Sequence, residues 1–178
     1  STCRHGVFTH PSKDAYVGAC LANYGEWGEG EVQLLSHYLF EGATAIEIGS
    51  NLGAHTIPMA HMVGATGRIL AFEPQRLIFQ LLCHNLIANN ALNVQAINGA
   101  VGAIPGTTTV PDLDLHSAEN FGATRIHSQS GLKTTVQALD DIPLQSLDLI
   151  KIDAEDCEAD ILLGAVRTID QHKPTILL

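Results

Sequence analysis

Five short apolar runs, separated for the most part by stretches with helical spacing, constrain this chain more than any other feature. Thr44–Ile48, Arg68–Glu73, Asn93–Asn98, Leu147–Asp153 and Pro174–Leu178 are each too short for a helix of ordinary length and are largely apolar. Such runs read as strands covered on both faces. Between them, Ala54–Val63, Pro74 to about Asn90 and Glu155 to about Asp170 carry helical patterns. Pro58 falls in the first turn or so of its helix, where a missing N–H costs least. Strands alternating with helices require right-handed crossovers, so the expectation is an α/β domain with a mostly parallel, doubly wound sheet.

The flanks are less regular. Glu29–Phe40 places Val32, Leu35 and Leu39 on one side at helical spacing, with Gly42 as a stop, and predicts an amphipathic helix ahead of the first strand. Residues 1–27 show no clear period and read as an irregular lead-in, leaving residues 28–178 as the domain proper. A length of 178 residues suits one core. Residues 102–132 turn Thr-, Asp-, Ser- and Gly-rich, the expectation being short strands or a lid. Asn120-Phe121-Gly122 within them reads as a turn or as part of a substrate lid.

Charge narrows the partners. The formal net charge is -10, and the 9 Lys and Arg residues are scattered, which disfavours phosphate backbones and anionic lipid surfaces; no nucleic acid and no membrane partner is expected. No apolar run approaches the roughly 18 residues of a membrane span. The 4 cysteines form no C-x-x-C pair and no zinc-type spacing with histidine, so reduced thiols, a cytoplasmic location and no metal are expected. His55 and His61 share a predicted helix without a third ligand at recognisable spacing.

In open α/β sheets the ligand crevice lies at the carboxyl ends of the strands. The first such end is Glu47-Ile48-Gly49-Ser50-Asn51-Leu52-Gly53, a turn with glycines where the chain must bend and where a helix must approach closely. A dinucleotide fingerprint requires a second glycine where this chain has Asn51. Glu73, 20 residues past Gly53 at the end of the second strand, stands at the offset of an acid that binds ribose hydroxyls. A ribose-binding acid without a pyrophosphate loop favours S-adenosylmethionine over NAD. Asn98-Gly99-Ala100 closes the third strand and either reads an adenine edge or simply turns the chain. In the fourth, alternation puts Lys151 and Asp153 on one side. A lysine in so apolar a strand needs a carboxylate, with Glu47, Asp153 and Glu155 as candidates, unless its stem carries the ammonium to solvent. Asp153 can meet both a sulfonium and a substrate hydroxyl, or can serve only as an anchor for Lys151. Asp153, Glu155 or His55 could act as a base.

Taken together, Tyr24-Gly25-Glu26-Trp27, Glu47 to Thr56, Ala71-Phe72-Glu73-Pro74-Gln75, Asn98 to Gly102 and Asp148 to Glu155 resemble the FkbM family of S-adenosylmethionine-dependent methyltransferases. The resemblance implies a Rossmann-like class I methyltransferase fold and S-adenosyl-L-methionine as cofactor. It puts Glu47, Gly49, Asn51 and Gly53 at the methionine end and Glu73 at the ribose. Asp153 and Glu155 then face the reacting centre beside Lys151. Ser50, His55, Pro74, Asn98, Gly99 and Ala100 complete the implied cofactor contacts. It also implies O-methylation of a hydroxyl on a sugar or secondary metabolite, a small-molecule or glycan acceptor. Two departures stand out. Asp156 replaces the glycine usual after the last glutamate, and the chain stops at Leu178, so a sheet truncated after its fifth strand is expected. An unpaired apolar edge would favour a homo-oligomer. The rival readings are an inactive fold that only binds an adenosyl compound or self-associates, and an NAD-type oxidoreductase.

Overall fold

The computed structural model of the chain describes residues 1–115 and 130–178; Asn120-Phe121-Gly122 lies outside them. Its centre is a five-stranded sheet of β3 (Thr44–Ile48), β4 (Arg68–Phe72), β5 (Val94–Ile97), β9 (Leu149–Ile152) and β10 (Thr175–Leu177), in the order β10-β9-β3-β4-β5. Every pairing in it is parallel. β3 and β4 run to adjacent tips, and β3 lies between β4 and β9, so the strand order reverses beside β3. The crevice of a doubly wound sheet forms at that point.

Both faces of the sheet are covered because its strands are apolar on both sides. On one face Ala45, Ile69, Ala71 and Leu149 pack against α3 (Thr56–Val63) and α4 (Arg76–Ala88) through Ile57, Met59, Val63, Leu82 and Leu86. On the other, Ile46, Ile48, Leu70, Phe72, Ile150 and Ile152 pack with Val101, Leu139, Ile161 and Ala165. The second face is closed by α5 (Glu158–Leu163), α6 (Val166–His172) and a short 3₁₀ turn at Leu139–Asp141.

Several elements depart from their expected limits for local physical reasons. The helix expected over Glu29–Phe40 is α2 (Glu29–Leu35) and stops early. Ser36 Oγ donates to the Gln33 carbonyl at 2.7 Å and His37 Nδ1 lies 2.7 Å from the same oxygen. These local side-chain bonds compete with helix propagation. The helix expected from Glu155 to Asp170 is two helices. Asp156, with φ 61, occupies the left-handed region the missing glycine would have used and delays the start to Glu158. At Gly164 the chain passes so close to Gly102 that a Cβ would lie 2.2 Å from its carbonyl oxygen, and the axis breaks there. Within the described part of residues 102–132 lies one short strand, β7 (Gly106–Val110), which joins the flanking β6 (Ala100–Val101) and β8 (Leu132–Gln137) in a separate sheet of order β6-β8-β7.

The segment read as an irregular lead-in is built. It holds a hairpin of β1 (Thr2–Cys3) and β2 (Gly6–Val7), then α1 (Val17–Asn23), and buries Phe8, Val17 and Leu21 in the first core. Asn85, fully buried on α4, fastens it. Its Oδ1 accepts from Thr9 N at 2.8 Å, and its Nδ2 donates to the carbonyls of Thr9 at 3.0 Å and Leu52 at 2.9 Å. Removing that amide strands the buried Leu52 carbonyl and leaves the partly buried Thr9 N–H and carbonyl without their partner. Asn85→Ala is expected to cost about 3 kcal/mol, since each unsatisfied buried group costs about 1–3 kcal/mol. Urea denaturation would check it, a loss under 1 kcal/mol contradicting the clamp.

Candidate active site

The site is assembled at the tips of β3, β4 and β9. Gly49 ends β3 with φ 85, and a Cβ there would lie 1.9 Å from the Asp153 carbonyl oxygen. Glycine thus serves twice: it supplies the left-handed turn, and it lets the β3 and β9 tips touch. Gly49 N and Ser50 N both donate to the Phe72 carbonyl at 3.0 Å, which carries the turn across to β4. Asn51 follows with φ 49 and donates its N–H to Glu73 Oε2 at 2.9 Å. Gln75 N donates to Glu73 Oε1 at 2.8 Å. Glu73 is therefore held by one backbone N–H on each oxygen, leaving lone pairs on both for a ligand. Its burial raises its pKa from 4.5 to about 7, the two backbone bonds offsetting only part of the desolvation.

Glu47 lies one residue inside the β3 tip, opposite Lys151 of β9 in the parallel register. It is buried, and it accepts a hydrogen bond from Thr56 Oγ1 at 2.5 Å. Desolvation raises its pKa, while Lys151, Thr56 and Ser50 pull it back down. Lys151 is equally buried, and its Nζ lies 3.3 Å from Asp153 Oδ2 and 3.8 Å from Glu31 Oε2. Asp153 itself is largely exposed. His55 is buried before α3, and desolvation, aided by Lys151, lowers its pKa from 6.5 to about 4.

Two adjoining cavities occupy this end of the sheet. The first runs from Ile48 and Gly49 past Phe72, Pro74 and Gln75 to Gly99 and Ala100. The second is bounded by Glu47, Ser50, Asn51 and His55 and by Tyr16, Val17 and Trp27 of the N-terminal segment. Gly49, Glu73, Asp153 and Glu155 line both. Among the described residues no Lys or Arg lines either one.

Of the residues singled out from sequence, Glu47, Gly49, Ser50, Asn51, His55, Glu73, Pro74, Gly99, Ala100, Asp153 and Glu155 line this paired crevice. Three do not. Gly53, φ 95, packs against Leu82 behind the turn, where a Cβ would lie 2.9 Å from Cδ1. Asn98 turns its amide into the protein, Nδ2 donating to the carbonyls of Glu73 at 2.8 Å and Pro74 at 3.3 Å. Lys151 reaches the crevice only through the carboxylates it touches. From sequence, no site role falls to Glu31 or Gln75, and Tyr16, Val17 and Trp27 lie in an irregular lead-in. Only Gln75 had a local signal, its place two residues after Glu73; it is buried beside the first cavity with Nε2 lacking a partner among the described residues.

Comparisons place this geometry among known proteins. Residues 47–178 match the family model described as the methyltransferase FkbM domain. The structure of methyltransferase FkbM from Methylobacillus flagellatus KT is similar at 16% identity, over 89% of this chain and 48% of that one, with a TM-score of 0.56. A SAM-dependent methyltransferase from Aquifex aeolicus aligns over 67% of this chain and 45% of its own, at 16% identity and a TM-score of 0.43. SMU.1697c of Streptococcus mutans, a candidate methyltransferase solved with SAH, aligns over 81% and 64%, at 15% identity and a TM-score of 0.48. No curated protein sequence matches. At these identities the likeness concerns the fold, and the chain spans about half the length of the M. flagellatus structure. The family model covers well over half of the chain, and the chain belongs to the FkbM methyltransferase family.

Proposed function

We propose that this chain binds S-adenosylmethionine across the two cavities and methylates a hydroxyl group of a sugar or other small metabolite. The observation that carries the reading is Glu73, a buried carboxylate with one free lone-pair direction on each oxygen, set between two cavities that no Lys or Arg lines among the described residues. Such a group suits a ribose diol. The same acid-rich lining would repel a pyrophosphate, which weighs against the NAD-type reading. Apolar walls at Ile48, Phe72 and Val101 suit an adenine ring, and the buried Gln75 amide offers it a donor. Glu47, Ser50 and Asn51 would hold the methionine end.

S-adenosylmethionine, when bound, supplies an electrophilic methyl group on a positively charged sulfur. The chain's own share is alignment and charge. Asp153 and Glu155 line both cavities, so they face the junction where an acceptor hydroxyl would lie. Asp153, oriented by Lys151, takes the hydroxyl proton in this reading, provided the two come within about 3 Å. Tyr16, Val17 and Trp27 form the acceptor's wall.

A thermal-shift comparison of S-adenosylmethionine, S-adenosylhomocysteine and NAD tests the reading. The first two are expected to stabilise the chain, by about 2.7 kcal/mol at a hundredfold excess over Kd. Stabilisation by NAD alone, or by none of the three, would overturn it.

A further inference from the structure

Glu31 comes from α2, His55 from the turn before α3 and Asp153 from the tip of β9, and one ligand atom of each lies within 4.8 Å of the others. We propose that these three residues bind one divalent transition-metal ion at the edge of the second cavity, which His55 and Asp153 line and Glu31 borders from outside.

His55 is the independent pointer. Its side chain is only 6% exposed, yet its Nδ1 stands 3.7 Å from Glu31 Oε2, beyond hydrogen-bond reach. Nε2 is packed against Gly28, where a Cβ would lie 2.4 Å away. Nε2 has no hydrogen-bond partner among the described residues, the Gly28 backbone being the polar group on that side. A buried imidazole held without such partners is uncommon outside functional sites. With its proton on Nε2 toward the Gly28 carbonyl, the ring turns the Nδ1 lone pair toward Glu31. That is the orientation an outer-shell carbonyl imposes on a metal-bound histidine.

The local charge also calls for a cation. Glu31, Glu47 and Asp153 carry three negative charges when ionised, and among the described residues Lys151 is the one lysine or arginine that meets them. Two negative charges remain, the complement of one divalent ion. Lys151 competes for the position, since its ammonium contacts both Glu31 and Asp153. Glu47, its cross-strand neighbour, gives it somewhere to go when an ion enters. One imidazole and two carboxylates suit Mn²⁺, Fe²⁺, Co²⁺ or Zn²⁺ better than Ca²⁺. Three protein ligands would leave coordination positions open to the cavity. Its role there rests on the methyltransferase reading: in the ion-bound form Asp153 serves as a ligand in place of acting as base beside Lys151, and an acceptor hydroxyl on the ion would lose its proton more easily.

The test is a titration of the whole chain with Mn²⁺, followed by the loss of its free-ion EPR signal, and with Co²⁺, followed by visible absorption. One equivalent of each is expected to bind. Glu31→Gln changes a half-exposed side chain and should fold normally while weakening binding at least tenfold; His55→Gln should do the same and shift the Co²⁺ bands. Absence of binding at millimolar Mn²⁺, or equal binding by both variants and the parent chain, would overturn the site. Thermal shift with S-adenosylmethionine, run in parallel, separates the two readings. Cofactor binding without Mn²⁺ binding removes only the metal, and Mn²⁺ binding without cofactor binding removes only the methyltransferase reading.

Discussion

S-adenosylmethionine is expected to bind this chain about tenfold more weakly at pH 6 than at pH 8. With a pKa of about 7, only about a tenth of Glu73 is ionised at pH 6, whereas nearly all of it is at pH 8. A ribose diol donates two hydrogen bonds and needs the carboxylate, because a protonated acid has turned one acceptor into a donor. Binding titrations at constant ionic strength across that range would measure it. A flat profile would mean that Glu73 does not meet the ribose, or that the ligand binds elsewhere.

The same group ties stability to pH, with a sign opposite to that of an ordinary ion-paired acid. Its pKa is raised on folding from 4.5 to about 7, so its contribution is fully present below pH 4.5 and is lost as pH rises through 7. The full span is on the order of 3 kcal/mol. Glu47, shifted in the same direction, adds to this trend. His55 acts oppositely. Its folded pKa of about 4 lies below 6.5, so its contribution is present above pH 6.5 and is lost as pH falls toward 4. Between about pH 4.5 and 6.5 the slopes of Glu73 and His55 offset one another. In His55→Gln, Tm is therefore expected to fall continuously from pH 5 to pH 8, and a parallel profile in the parent chain would contradict both assignments.

Gly49→Ala is expected to be among the most damaging single-methyl changes in the described residues. The left-handed backbone at φ 85 costs a residue with a Cβ about 1–3 kcal/mol, and the methyl would lie 1.9 Å from the Asp153 carbonyl oxygen. Backbone cannot yield there as a flexible side chain would, so overpacking adds about 1–3 kcal/mol. A loss of about 3 kcal/mol or more in urea denaturation is expected. Any folded fraction should bind S-adenosylmethionine weakly, because separating the β3 and β9 tips moves Asp153 and Glu155 together. Native stability and binding in this variant would contradict the close approach on which the crevice depends.

The strands and the turn were legible because their information is local. Thr44–Ile48 and Arg68–Phe72 are apolar on both faces, and Gly49 and Glu73 mark their ends, so period, length and punctuation agree there. The limits that slipped were decided by distant contact. Nothing around Gly164 announces that Gly102 will touch it, and nothing in residues 1–27 announces that Asn85 will hold them. The same holds for the site. Glu47 and Glu73 follow from strand ends, but Glu31, Tyr16 and Trp27 enter from a segment without readable period.

By itself, then, the order of residues determined the alternation of strands and helices, the parallel sheet and the acids at its tips, since each of these follows from spacing along a few neighbouring residues. Only the tertiary structure decided which acids share a cavity, that Lys151 lies across from Glu47, and that Glu31, His55 and Asp153 converge. Those are matters of register and packing between segments far apart in the chain, and burial, which sets the charge state of Glu73 and His55, exists only once they have closed on one another.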